Sequence, residues 1–354
     1  MLLFWSGMSS IITLSDTGRL IGDPILDSIS AMFTKDYDLP VPTRYQQLTD
    51  GLINQTYSVD DCWIVQRVNP IFGHQVNDDI AALTSQLKTQ NVPVPQILRT
   101  KTGKFWVNGS DYGLSDGIWR VMTKLPGKTH HFVQSIEQIQ HLTLMMSRFH
   151  KALNGFNYTF KHTRPGVHDF QRHYRALDEA IQTHSKHRLY AQVEALYQKI
   201  QHLMKFVDDT KVMDCEDLRI IHGDPKISNF LFEQDEIVGV VDLDTMAKSR
   251  VAFDIGDAIR SWCNPCPEDV TPDYHPEYAR EAMGLYLENS DFLTRAERQS
   301  LPFSAPFITL ELSARFARDA LCEDYFGFNP NIGHGEHSLI RAQSMAQLCD
   351  QMLS

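Results

Sequence analysis

Residues 220–230, IIHGDPKISNF, set a histidine, an aspartate and an asparagine, His222, Asp224 and Asn229, between two apolar runs. Polar groups beside buried backbone are costly unless they are hydrogen-bonded or serve a ligand. The run that follows, NFLFEQDEIVGVVDLD, divides into two apolar strands around Gln234, Asp235 and Glu236. A hairpin folded about residue 235 sets Asn229 opposite residues 241–242. Asn229 and Asp242 then meet at the open end of the ribbon, with Asp224 in the loop just before it. An amide oxygen beside a carboxylate suits a hard cation such as Mg2+. Asp224 is placed to accept a proton from a hydroxyl nucleophile. Asp244, the second carboxylate of the DLD run, is read on the same strand face as Asp242, as a further metal ligand or a brace for the loop.

The rest of the chain supplies two different settings for this ribbon. From about 41 to 68 the sequence reads as three antiparallel strands, with turns at Asp50-Gly51 and Asp60-Asp61. QVNDDIAALTSQLKTQ follows with Ile80, Leu83 and Leu87 on one helical face. VPVPQILRT, FWVNG and GIWRVMTKLPG resume strand character and end at Pro126-Gly127. Beyond that point the pattern is helical over 132–153, 168–185, 188–209, 276–288 and 293–325. Strands are expected only at 218–221, 229–233 and 237–242. The fold class is therefore α+β. The expected domains are an extension over 1–20, a small β-rich lobe over 21–125 and a larger, mainly α-helical lobe over 126–354.

Composition narrows the partners. The net charge of −11 and the lack of a long basic run argue against nucleic acid or an anionic membrane surface as the main partner. No apolar run approaches the roughly 20 residues that span a bilayer. The opening MLLFWSGMSS lacks the basic start and cleavage site of a secretory signal, and Met8 is an alternative start. The six scattered cysteines read as reduced thiols in a cytoplasmic protein, and CNPC at 263–266 has neither a second pair nor a thioredoxin-like context.

HGDPKISN followed by VVDLDT resembles the aminoglycoside/choline-kinase branch of the protein-kinase-like fold, whose loop reads HGD, four residues, then Asn. DGLINQTYSV, WIVQRVN, DLDTM with FDIGDAIRS, and EDYFGFNP with HSLIRAQSM are similar to the N-acetylhexosamine 1-kinase group, over about residues 45–348. The resemblance implies a bilobal ATP-dependent phosphotransferase. In it Asp224 would be the catalytic base, braced by His222, and Asn229 and Asp242, with Asp244 beside them, would hold Mg2+.

On the nucleotide side there is no glycine-rich loop. Asn54 and Thr56 are the candidate phosphate contacts, and Arg67 stands where a lysine is expected. Asp78 or Asp79 would orient Arg67 or, equally, favour the first turn of its helix. Trp119 and Arg120 read as packing. Asp254 reads as a helix N-cap and Asp257 with Arg260 as a helix-face pair. RFARDALCEDYFGFN is the expected acceptor segment, with Arg315, Arg318, Asp319, Tyr325 and Phe326 as contacts. The acceptor is expected to be an N-acetylhexosamine anomeric hydroxyl. An aminoglycoside, choline or amino alcohol is the alternative acceptor, and a metal-dependent hydrolase or a catalytically degenerate nucleotide binder the alternative function.

Overall fold

The computed structural model describes residues 23–48, 54–207 and 209–354. The Asp50-Gly51 turn and the 1–20 extension lie outside them. The chain divides into two compact units, Met1–Pro126 and Gly127–Ser354.

Among its described residues the first unit has a five-stranded sheet and two α-helices. Its elements are α1 (Pro24–Met32), β1 (Tyr45–Leu48), β2 (Gln55–Val59), β3 (Trp63–Arg67), α2 (Val76–Thr89), β4 (Val107–Asn108) and β5 (Ile118–Thr123). Strand order is β1-β2-β3-β5-β4, and every pairing is antiparallel. The β2–β3 turn forms at Asp60-Asp61 with both residues left-handed (φ 48° and 54°), the conformation that matches strand twist. Asp60 is held there because its carboxylate accepts from the backbone N–H of Thr43 and Arg44.

Alternation along the strands assigns two faces. Tyr57, Val59, Val65, Trp119 and Val121 bury against Ile29, Met32 and Phe33 of α1 and just beyond it. Thr56, Gln66 and Arg120, one residue out of step, belong to the other face. Between 92 and 105 only Ile97 bridges to the sheet, opposite Met122.

The second unit contains β6 (Lys128–Thr129), α3 (Ile136–Leu153), α4 (Phe170–Thr183), α5 (Tyr190–Leu203), α6 (Asp209–Met213), β7 (Arg219–Ile221), β8 (Phe230–Glu233), β9 (Glu236–Val240), β10 (Ala247–Ser249), α7 (Val251–Trp262), α8 (Pro276–Asn289), α9 (Arg295–Ser300), α10 (Ser304–Cys322) and α11 (His334–Leu353). The expected single helix over 293–325 is two. Thr294 and Glu297 form a capping box at the start of α9, and a 3-10 turn at Leu301–Phe303, centred on a proline that lacks the N–H a continuous helix needs, separates α9 from α10. The β8–β9 hairpin gains β6 as a third strand, and β10 pairs with β7. These two- and three-residue strands are too short to leave an alternating pattern in sequence. Helix α10 is the centre of the unit, packed by α4, α5, α7 and α11.

Among the described residues no helix is long and apolar enough to cross a membrane. All six cysteines are thiols, and burial pushes the Cys263 thiol well above its ordinary range.

Candidate active site

The loop after β7 turns sharply at Gly223, where φ is +83° and an added Cβ would collide with the Thr245 carbonyl. Thr245 also donates its hydroxyl to the His222 carbonyl at 2.9 Å. Asp254 ties the same turn from behind. Its carboxylate accepts from the backbone N–H of His222 and of Gly223, both at 2.7 Å, and lies 2.9 Å from His150 Nε2. His150 Nδ1 in turn meets the Tyr286 hydroxyl at 2.7 Å. The expectation of an N-cap at Asp254 is therefore corrected. Helix α7 begins at Val251 after Arg250, and Asp254, in its first turn, is spent on the loop. Burial opposes its charge, but His150, His222 and the Gly223 amide hold its carboxyl below the usual carboxylate range.

His222 is fully buried. Its Nε2 donates to the Val241 carbonyl at 3.0 Å, and its Nδ1 accepts from the Asp224 N–H at 3.3 Å. Both nitrogens are engaged, so the imidazole is a neutral brace. Burial lowers its pKa against the pull of Asp254 and Asp224. A hydrolase that needs His222 as a metal ligand has no nitrogen to offer.

Asp224 and Asn229 meet as the spacing predicts. The Asn229 amide nitrogen donates to the Asp224 carbonyl at 2.7 Å and to its carboxylate at 3.2 Å. The backbone carbonyl of Asn229 accepts from the Val241 N–H at 2.9 Å. Asp242 follows directly, in a left-handed conformation (φ 59°) that ends β9 and turns the chain into the 3-10 segment Leu243–Thr245. Asp244 lies in that segment, 2 % exposed, not on a strand face beside Asp242.

Lys226, which the sequence reading passes over, sits within this group. Its Nζ is 2.9 Å from Asp224 Oδ2; its side chain is only partly buried, and Asp224, Asp242 and Asp257 outweigh the desolvation that would otherwise lower its pKa. Burial alone would raise Asp224, but Lys226, then His222 and Arg260, hold its carboxyl low. A lysine between the two motif residues of a polar loop was the available signal.

The expected Asp257–Arg260 pair forms at 2.8 Å and continues into a longer chain. Arg260 Nη1 reaches Glu268 at 3.2 Å, and Arg341 Nη2 reaches the same carboxylate at 2.6 Å. The Arg341 guanidinium stacks over Phe316 and Phe326, at 3.8 and 5.4 Å from the ring centres.

Several other expected site residues have structural partners instead. Asp319 is fully buried. Its carboxylate accepts from the backbone N–H of Asp324 and Tyr325 and from Ser338 Oγ, and it pairs with His334 at 2.9 Å. It organises the loop after α10 and is not exposed to a substrate. Arg318 is paired with Asp324. Tyr325 is exposed, edge-on to Phe326.

In the first unit Arg67 shares the face of Val65 and donates through Nε and Nη2 to the Asp116 carbonyl at 2.9 and 2.6 Å. The buried cation on the opposite face is Arg120. It donates to the Gln66 amide oxygen at 2.9 Å and to Asn77 of α2 at 3.2 Å. Gln66 donates to Thr56 Oγ1 at 3.0 Å, and Asn54 accepts from the Asn69 N–H at 2.8 Å. Thr56 and Asn54 thus brace the sheet. Asp79 is 3 % exposed in the first turn of α2.

A family model described as the phosphotransferase enzyme family (APH) matches residues 44–286, about two thirds of the chain. The chain belongs to this family. It is a small-molecule phosphotransferase acting on a hydroxyl acceptor. Solved structures agree on the fold, which is protein-kinase-like, with a β-sheet N-lobe and a helical C-lobe. A putative aminoglycoside phosphotransferase from Ralstonia eutropha is 13 % identical with a TM-score of 0.61, over 92 % of this chain and 97 % of that one. An amicoumacin kinase solved in complex with AMP-PNP, Ca2+ and Ami is 16 % identical, TM-score 0.58, over 87 % and 88 %. The GDP complex of aminoglycoside 2′-phosphotransferase-IIIa is 14 % identical, TM-score 0.55, over 94 % and 99 %. In this phosphotransferase the loop after β7 holds the Asp224 carboxyl below the usual carboxylate range.

Proposed function

We propose that the protein transfers the γ-phosphoryl group of ATP to a hydroxyl of an uncharged sugar, most specifically the anomeric hydroxyl of an N-acetylhexosamine. Asp224 orients the acceptor hydroxyl and takes its proton. Lys226 supplies positive charge beside it. Asn229 and Asp242 offer the hard oxygen donors that fit Mg2+: the Asn229 amide has committed its nitrogen to Asp224, leaving the oxygen, and Asp242 follows directly on Val241, whose N–H donates to the Asn229 carbonyl. Bound Mg2+ would neutralise the nucleotide phosphates. Nucleotide and divalent-ion use also accords with the relatives solved with GDP, and with AMP-PNP and Ca2+.

The observation that carries the choice of acceptor is charge compensation. Asp224 faces Lys226, Asp257 faces Arg260, and Glu268 faces both Arg260 and Arg341. A polycationic acceptor calls for uncompensated carboxylates, whereas alternating carboxylates and guanidinium groups suit neutral hydroxyls. A quaternary ammonium calls for an open aromatic face, and the Phe326 ring already carries Arg341 and Arg315. The N-acetylhexosamine assignment adds the resemblance of the QRVN, DLDTM and EDYFGFNP segments.

ADP release measured over GlcNAc, GalNAc, aminoglycosides, choline and amino alcohols tests the reading. Turnover with a neutral N-acetylhexosamine is expected. Turnover confined to aminoglycosides, the substrates named for several structural relatives, would overturn it.

A further inference from the structure

Glu311 lies in the middle of α10 and is 1 % exposed. Its Oε1 is 3.3 Å from His168 Nδ1 and 3.8 Å from Arg315 Nη1. Its Oε2 is buried and, among the described residues, has no hydrogen-bond partner. Burying a carboxylate oxygen without a donor is unfavourable, and natural proteins keep such atoms where a ligand or function requires them.

The surroundings of Glu311 connect it to both ends of the site. His168 packs on Phe253 of α7, ring centres 4.7 Å apart. One turn further along α7, Asp257 lies within electrostatic reach of both His168 and Asp224. On the other side the Arg315 guanidinium lies over Phe326 and Tyr325, at 5.5 and 5.9 Å, in the loop that Asp319 organises. His168 and Arg315 keep 16 % and 18 % of their side chains exposed, so the carboxylate is bordered by groups that reach the surface.

We propose that Glu311 is a specificity-determining residue of the acceptor site, its Oε2 accepting a hydrogen bond from a hydroxyl or amide N–H of the acceptor at a position other than the reacting hydroxyl. This rests on the proposed transfer to an uncharged hydroxyl acceptor. Arg315 balances the Glu311 charge, so the group recognised is a neutral donor. His168 and Arg315 fix the carboxylate through Oε1, which leaves Oε2 as the reading atom.

The test compares wild type and Glu311→Gln on an N-acetylhexosamine and on its singly deoxygenated and N-acyl-free analogues, with ATP held saturating. Wild type should discriminate strongly against one analogue, because a site built around a hydrogen bond rejects a ligand that cannot make it. Glu311→Gln should raise KM for the parent sugar by about 10- to 100-fold and lose that discrimination, with KM for ATP unchanged. A purely structural role would not erase discrimination at a single position. If wild type phosphorylates no uncharged sugar, the functional reading fails. If wild type does so and Glu311→Gln keeps both its KM and its discrimination, Oε2 is filled by solvent and the role assigned to Glu311 is overturned. Should Glu311→Gln not fold, Glu311→Asp, which withdraws the oxygens by one methylene, makes the same comparison.

Discussion

Both units run a chain of polar side chains across apolar secondary structure, and the two chains are built from different chemistry. In Met1–Pro126 the chain is Thr56, Gln66, Arg120 and Asn77, in which the guanidinium donates to two amide oxygens and Gln66 donates to the Thr56 hydroxyl. In Gly127–Ser354 it is Tyr286, His150, Asp254 and the His222–Gly223 turn, with Asp224, Lys226 and Asn229 beyond. Hydrogen bonds from Arg120 to Gln66 and Asn77 tie strand to helix. Alternating carboxylate, imidazole and ammonium fixes geometry and also sets protonation, which is what a proton-accepting residue requires. The proposed function accordingly places the reacting groups in the second unit.

The contrast is broken most directly at Asp224. Asp224→Asn keeps the shape of the loop and its contact with Asn229 while removing the basic oxygen. Turnover should fall by about 10²- to 10⁴-fold, with ATP affinity measured by titration retained. Turnover at the wild-type rate would take Asp224 out of the proton-accepting role.

A smaller effect sharpens the other half of the comparison. If the first unit positions nucleotide phosphates through the face shared by Gln66 and Arg120, Arg120→Met should raise KM for ATP by about tenfold, the loss of one charge-assisted hydrogen bond. Arg67→Ala should change it by less than about threefold, since the Arg67 guanidinium is spent on the exposed Asp116 carbonyl. The reverse ranking would return the phosphate-contacting role to Arg67.

The same two regions show what the sequence could convey. The His222, Asp224 and Asn229 spacing and the hairpin that delivers Asp242 were legible because all of these contacts are local to one loop and one ribbon. Asp254 was not, since its partners lie about thirty residues upstream and at His150 on α3, and a carboxylate near a helix start reads equally well as a cap. Arg67 reads as the phosphate-binding cation from its place in a resemblance, although strand alternation already puts it on the face of Trp63 and Val65. Asp319 sits among polar and aromatic residues that look like a binding surface. Only the packing of α11 on α10, which brings His334 and Ser338 to its carboxylate, reveals a brace.

Acid should separate the two units by the smallest effect. His222 is buried as a neutral imidazole with its pKa below the ordinary value of 6.5, so below that pH the unfolded chain binds a proton that the folded chain does not. The stability contributed by keeping this imidazole neutral is complete above pH 6.5 and declines as the pH falls through that value towards the folded pKa, with a slope of at most about 1.4 kcal/mol per pH unit for one proton. The four side chains braced across the first unit include no imidazole. Hydrogen exchange followed from about pH 7.5 to about pH 5.5, a range that brackets the ordinary imidazole pKa, and corrected for intrinsic rates, should show protection falling at residues 220–230 and 241–245 while β3 and β5 keep theirs. Equal loss in both regions would mean that proton uptake is not concentrated at His222, and that the imidazole-bearing chain of the second unit is no more sensitive to acid than the chain braced across the first.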